Sequence, residues 1–500
     1  MKLIKGGVCA AQGFTASGVH CGIRKNKTKK DLALIFSQKQ ASAAAVYTTN
    51  LVKGAPLLVT RRHLASGTAQ AVICNSGNAN TCNKNGEEIA EQMSALVAGA
   101  LGIVCDDVVV ASTGVIGQPL DIEPIRAGIP PLVAALSKDG GADAAAGIMT
   151  TDTVQKEVAV EFSLGGKVCR MGGMAKGSGM IHPNMATMLV FITTDAAISP
   201  AMLQKALSTD IQNTFNMVSI DGDTSTNDMV TVLANGLAGN PCILQENEDY
   251  TVFMQALNTV TVHLCRMIAG DGEGATKLLE CAVSGAADEA TAKTVAKSVV
   301  CSSLTKAAMF GADANWGRVL CAIGYSGAAV DVSGIDVSFK SAKGEIEVCR
   351  GGCGVPFSEE KAKEILLEKE ITILVSLHAG TASATAWGCD LTYEYVKING
   401  DYRTERSTYA KSIHKRAARR SADAGAAQHQ TVRGQSGGHQ IRRQRHDQRG
   451  PKTAGHAGYR AAVADRRQDR AGARRRPRDQ RPDAETRQKS RVRRRPARHR

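Results

Sequence analysis

Several features that would settle a location or a chemistry are missing from this chain. No run of about 18 apolar residues is present to span a bilayer, and the opening MKLIKGGVCAAQGF has no apolar signal-peptide core. The 14 cysteines are scattered without a single Cys-x-x-Cys pair. The tightest spacing is Cys349 and Cys353 in CRGGC, with no histidine nearby to complete a zinc site. Scattered thiols without an export signal fit a reducing cytoplasm, and no metal is expected. Aromatic residues are only 4% of the chain. The phosphate-cradling pattern GxxxxGK[ST] is absent, so GDGEGATK (270–277) is not read as an ATP site. DGDTSTND (221–228) has no glycine at the sixth position of a calcium loop and no glutamate at the twelfth, and reads as a structural loop.

Five hundred residues are ample for a large core and two to four lobes. The net charge of +15 suggests a nucleic-acid binder until its distribution is examined. Residues 405–500 hold 25 Arg and 4 Lys against 8 acidic residues, a net of +21, so residues 1–404 are mildly acidic at −6. Its stretches RRQRHDQRG, DRRQDRAGARRRPRDQRP and RVRRRPARHR have almost no apolar residues, and the tail reads as a disordered Arg-rich extension. Counterion release would let such a tail bind RNA or DNA. Its two isolated rings, Tyr409 and Tyr459, make no stacking platform, and nucleic acid is not an expected partner. Synonymous codons can be chosen for Arg433–Gln448 that read GxKVVVIKYGGNAMT in the next frame. That string has a buried-strand pattern running into a glycine turn, similar to the opening of acetylglutamate kinases. The tail is therefore read as an out-of-frame extension.

Residues 1–404 are rich in Ala, Gly and Val. Short β-branched runs (AQAVICNSG, DDVVVASTG, KEVAVEFSL, MLVFITTDA, TVLANG, ITILVSLHAG) alternate with segments of helical period. Among these are GEEIAEQMSALVAGALG, PAMLQKALSTDIQNTF and the continuous TAKTVAKSVVCSSLTKAAMF. The pattern predicts an α/β fold, an α+β sandwich.

One stretch poses a chemical question. KGSGMIHPNMATMLVFITTDA (176–196) puts Thr187 at the seam between a glycine-loosened loop and an apolar strand. A threonine hydroxyl is a poor nucleophile without a base. At the start of a chain, its own α-amine (pKa about 7.7–8.0) can serve as that base. An internal Thr187 reaches that state only if the Ala186–Thr187 bond is cut. Gly177, Gly179 and Pro183 supply unusual or fixed dihedrals that would strain the turn.

The same stretch closely resembles the self-cleavage region of the ornithine acetyltransferase (glutamate N-acetyltransferase) family of arginine biosynthesis. NSGNANTCNKNG (75–86), ASTGVIGQPL (111–120), IMTTDT (148–153), DGDTSTND, GDGEGATK, FGADANWGR (310–318) and YVKINGDYRT (395–404) agree with it in order. The resemblance implies an α chain of 1–186 and a β chain of 187–404, with cleavage between Ala186 and Thr187. It implies acetyl transfer from N2-acetyl-L-ornithine to Thr187 and then to L-glutamate, with Thr113 and Gly114 as the oxyanion-hole pair. Substrate contacts would come from Lys176, Glu273, Asn399, Thr404 and either Thr150 or Thr153. His182 is read as structural or cleavage-assisting. The expected cofactor set is empty, with acetyl-CoA a co-substrate in bifunctional members, and the expected assembly is two α and two β chains. An N-terminal-nucleophile amidohydrolase or aminopeptidase of related architecture is the alternative. Family chains end near DYRT, which marks residues 405–500 as an addition.

Overall fold

The computed structural model describes residues 1–182 and 188–400. Ala186, Thr187, Pro183, Thr404 and the 405–500 extension lie outside the described residues.

The described chain is a mixed α/β structure with two sheets. The first has nine strands. Its main path runs 2–4, 156–164, 167–176, 189–194, 229–234, 32–47, 68–78, 108–115, and the 14–19 strand pairs on 32–47. The second has seven strands, all from residues after 217, centred on Leu278–Ala286 between Glu370–Ser376 and Ala382–Cys389.

Leu189–Thr194 occupies the middle of the first sheet, and all six of its residues are buried. It pairs antiparallel with the end of Lys167–Lys176 and parallel with Met229–Ala234. Its side chains alternate between two cores. Val190 and Ile192 join the large core that holds the 248–270 helix, whereas Leu189 and Phe191 join a smaller core with Phe14, Ala144 and Leu233. A strand covered on both faces reads as a continuous apolar run, and that is why MLVFITT shows no polar alternation.

The long helix Glu248–Gly270 packs on Lys156–Leu164 and Lys167–Lys176 of the first sheet and on Leu278–Ala286 and Ala382–Cys389 of the second. Asn247 starts it by accepting the Tyr250 N–H, an N-cap that satisfies one of the free donors of the first turn. Its last turn delivers Asp271 and Glu273 to one end of the first sheet. Gly141–Ile148 packs on the opposite face, against Phe14–Val19 and Leu32–Tyr47, and leads into residues 149–155.

One element departs from the sequence expectation. The run TAKTVAKSVVCSSLTKAAMF is two helices, Glu289–Cys301 and Ser303–Phe310. Ser302 takes an extended backbone (ψ 111°) and accepts the Thr305 N–H, so a cap interrupts what periodicity joins. Leu32–Tyr47 is a 16-residue strand whose Ala-rich half, ASAAAV, has weak strand propensity. It pairs with Met229–Ala234 on one side and Thr68–Asn78 on the other, so tertiary pairing overrides that preference. None of the 14 cysteines is in a disulfide. Among the described residues no helix is long and apolar enough to cross a membrane.

Phe191 is 1% exposed and sits abreast of Met174 and Thr231 at the sheet centre. Phe191→Ala is expected to cost about 3–5 kcal/mol, read as a lower denaturant midpoint with the slope unchanged.

Candidate functional site

The site lies where several chain segments end together beside the central strand. A cavity of about 500 Å³ is lined by Thr113, Gly114, Thr150, Lys176, Glu273 and Asn399, together with Thr151, Met180 and Asn227. These come from the end of Val108–Val115, the loop after Gly141–Ile148, the end of Lys167–Lys176, the loop beyond Glu248–Gly270 and the helix Tyr393–Gly400.

Gly114 is held in a conformation that a side chain could not share. Its φ is +133°, and a Cβ there would lie 2.4 Å from the carbonyl carbon of Gly77 on the neighbouring strand. Asn227 fixes this corner from below. Its Nδ2 donates to the carbonyls of Ala79 (2.6 Å) and Ser112 (3.0 Å), and its Oδ1 accepts from Thr81 and Thr226. The backbone around Thr113 and Gly114 is thus set before any substrate arrives.

On the opposite wall, Glu273 and Asn399 are joined by an Asn399 Nδ2–H donating to Glu273 Oε2 at 2.7 Å. The Glu273 N–H donates to the Ser178 carbonyl at 2.7 Å. A Cβ on Gly179 would fall 2.4 Å from the Glu273 carboxyl carbon, so that glycine serves close approach, whereas Gly177 is the one with a positive φ (+156°). Next in the chain, the Asp221 carboxylate accepts the Met180 and Ile181 N–H groups at 2.6 and 2.9 Å. DGDTSTND therefore acts as a loop holder: Thr224 also donates to the His182 carbonyl at 2.8 Å. His182 does not line the cavity. Its Nδ1 sits 3.1 Å from Ser219 Oγ, and burial together with the nearby Lys297 charge lowers its pKa, favouring the neutral ring.

Beneath the cavity lies a buried ion cluster. Lys156 is fully buried, with its Nζ 2.7 Å from Asp152 and 2.6 Å from Asp271. Asp152 also accepts the N–H groups of Gly177 (2.7 Å) and Thr150 (2.9 Å). Burial alone would raise the Asp152 pKa, but Lys176 and Lys156 outweigh it and hold the carboxyl well below the usual range. Thr153 is bound to this cluster instead of the cavity: its N–H and hydroxyl both donate to Asp271. Of the IMTTDT threonines, Thr150 and Thr151 line the cavity.

A narrower recess opens beside the cavity, lined by Thr113, Lys176, Met188, Ser225, Asn227 and Asp228. Asp228 is 3% exposed, and its Oδ2 has no hydrogen-bond partner among the described residues. Burial raises its pKa well above the ordinary value, against the pull of Ser225 and Lys176. Asp152, Thr151, Asn227 and Asp228 are the site residues that sequence reasoning missed, although all four stand inside motifs quoted above.

The sequence model of the ArgJ family matches residues 15–404. Curated relatives include the arginine biosynthesis bifunctional protein ArgJ of Symbiobacterium thermophilum. It is 53% identical over 406 residues, which are 81% of this chain and 100% of that protein. The protein of the same name from Caldanaerobacter subterraneus is 52% identical over 405 residues, again 81% and 100%. Among solved structures, the bifunctional protein argJ of Bacillus halodurans matches at 47% identity, covering 43% of this chain and 98% of that one, with a TM-score of 0.41. The ornithine acetyltransferase of Mycobacterium tuberculosis complexed with ornithine matches at 38% identity, covering 37% and 99%, with a TM-score of 0.34.

Replacing Asp152 by Asn leaves the buried Lys156 short of one counter-charge and is expected to cost about 3–5 kcal/mol at neutral pH. A carboxylate with a depressed folded-state pKa adds stability that is complete above about pH 4 and is lost as the pH falls further. Acid titration of the unfolding free energy should therefore drop less steeply below pH 4 in Asp152→Asn than in the parent.

Proposed function

The chain belongs to the ArgJ family and is an acetyltransferase of arginine biosynthesis; on that premise we propose that Thr187 carries the acetyl group from N2-acetyl-L-ornithine to L-glutamate. The observation that carries this reading is the convergence of Thr113, Gly114, Lys176, Glu273 and Asn399 on one cavity. Its side recess reaches Met188, the residue that follows Thr187 in the chain.

In the proposed maturation step the Thr187 hydroxyl attacks the Ala186 carbonyl. The C–N bond breaks, leaving an ester on Thr187 Oγ and a free α-amine. Water then hydrolyses the ester to the Ala186 carboxylate and regenerates the hydroxyl. In turnover the α-amine takes the hydroxyl proton as Oγ attacks the acetyl carbonyl of N2-acetylornithine. The tetrahedral oxyanion is held at Thr113 and Gly114, whose rigid corner needs no rearrangement as charge develops. The proton passes to the departing ornithine amine, leaving acetyl-Thr187. The glutamate amine attacks this ester through a second such intermediate and regenerates the enzyme.

Glu273, oriented by Asn399, pairs with the side-chain ammonium of ornithine, and Lys176 meets a substrate carboxylate with Thr150 beside it. Thr404 is proposed to contact substrate, as the family resemblance implies. The cycle needs no metal or organic cofactor. Acetyl-CoA enters as a second acetyl donor at the acylation step, in line with the bifunctional name of the relatives. We further propose a cytoplasmic assembly of two α and two β chains, to which residues 405–500 contribute nothing.

Intact mass and N-terminal sequencing test the nucleophile. The parent should yield two chains, one beginning Thr-Met-Leu-Val-Phe, and Thr187→Ala one inactive chain. A parent that stays uncut, or a cut that persists in Thr187→Ala, overturns the reading. Transfer of the acetyl group to water but not to glutamate would make the protein an amidohydrolase instead. Thr113→Ala is expected to lower kcat by about 10²–10³ with cleavage products still identifiable by mass. A chain ending at residue 404 should keep full transferase activity, measured as acetylglutamate formed per unit time.

A further inference from the structure

We propose that His63, Glu91 and Cys105 form a zinc site, independent of the acetyl-transfer centre. His63 ends the helix Ala55–His63, Glu91 lies on the helix Gly86–Leu101 and Cys105 opens the short turn Cys105–Asp107. One ligand atom from each lies within 4.8 Å of the other two.

The hydrogen bonds around His63 determine which of its atoms is available. His63 Nδ1 is 2.8 Å from the Val108 carbonyl, which can only accept, so Nδ1 carries a hydrogen. In the neutral ring Nε2 then presents a lone pair, and it faces Glu91 Oε2 at 3.1 Å and Asp106 Oδ1 at 3.8 Å. A lone pair opposed to carboxylate oxygens at that range needs a cation between them. That cation is either a proton on the ring or a metal ion.

Three further observations favour the metal. The backbone carbonyl on the second ring nitrogen is the arrangement that orients metal-bound histidines. Glu91 keeps Oε2 for this cluster because Arg62 is held at its other oxygen, Oε1, at 2.8 Å. The thiol of Cys105 completes a nitrogen, oxygen and sulfur donor set suited to zinc, whose tetrahedral ligands lie about 3.3–3.8 Å apart. Asp107, next to the cluster, is excluded because its carboxylate accepts from Gln40 at 2.8 and 2.9 Å.

On binding, Cys105 enters as the thiolate and its proton leaves to water. Asp106 or water supplies the fourth ligand. The ion would join two helices to the turn that leads directly into Val108–Val115, the strand that ends at Thr113 and Gly114. Its role is to brace that strand; it takes no part in the chemistry at the cavity.

Full-length protein stripped with a chelator should take up one equivalent of Zn²⁺ and unfold at a higher temperature in its presence. With Co²⁺ it should show thiolate-to-cobalt charge-transfer absorption. Cys105→Ser should lose both the absorption and the thermal shift, and Glu91→Gln should weaken uptake. Cys353→Ser, an exposed thiol in the second sheet, should change neither. Because Cys105 and Glu91 are only half-buried, these variants are expected to fold. No uptake by the parent, or charge-transfer absorption that survives in Cys105→Ser, overturns the site.

Discussion

Lys156 is an ammonium with no exposure to water, clamped between Asp152 and Asp271, and most of the cavity's geometry follows from it. An isolated charge in such a place would be prohibitive, and only two close carboxylates with further hydrogen bonds make it tolerable. Each carboxylate also accepts a backbone N–H from a segment beyond its own. Asp152 holds Thr150 and Gly177, while Asp271 holds Thr153 and Val154. One buried cation therefore sets the spacing between the loop after Gly141–Ile148, the start of the loop after Lys176 and the end of the 248–270 helix. Those segments carry Thr150, Lys176 and Glu273. Exchanging the three ionic residues for apolar ones could preserve stability, but it would release the segments from one another.

The second constraint is steric. Gly114 against Gly77, and Gly179 against the Glu273 carboxyl, are approaches closer than any Cβ permits. The cavity walls are thus drawn together by absent side chains and held there by Asn227 and Asp221, whose hydrogen bonds end on backbone groups. Such a site is rigid before substrate binds, the condition under which donors aimed at a developing oxyanion are most effective.

Much of this was readable in the sequence, for a physical reason. The apolar runs that predicted strands are runs because both faces of the central sheet are covered. The motifs that predicted site residues are long because each must satisfy backbone geometry as well as chemistry. What could not be read depended on distant partners. Lys156 opens KEVAVEFSL and looks like a surface lysine at a strand start; only Asp271, far along the chain, makes it a core residue. Thr150 and Thr153 are equivalent by spacing, and it is Asp271 again that draws Thr153 to the ion cluster. Asp228 sits in a polar motif read as a structural loop, yet it is buried with one oxygen unpartnered among the described residues. The cluster of His63, Glu91 and Cys105 is spread over two helices and a turn, so no spacing rule reveals it.

The placement of Leu189–Thr194 has a consequence for what a cut at residue 186 would do to the molecule. Strands preceding the cut lie on both sides of those that follow it. Lys167–Lys176 pairs with Leu189–Thr194, and Leu32–Tyr47 pairs with Met229–Ala234. The two pieces would be interleaved within one sheet and share a common core, so neither could depart without breaking two ladders and exposing the apolar faces of both. Severing the backbone would lower the connectivity of the chain without creating a dissociable complex. Dilution, which drives ordinary subunits apart, would find no interface to open short of global unfolding.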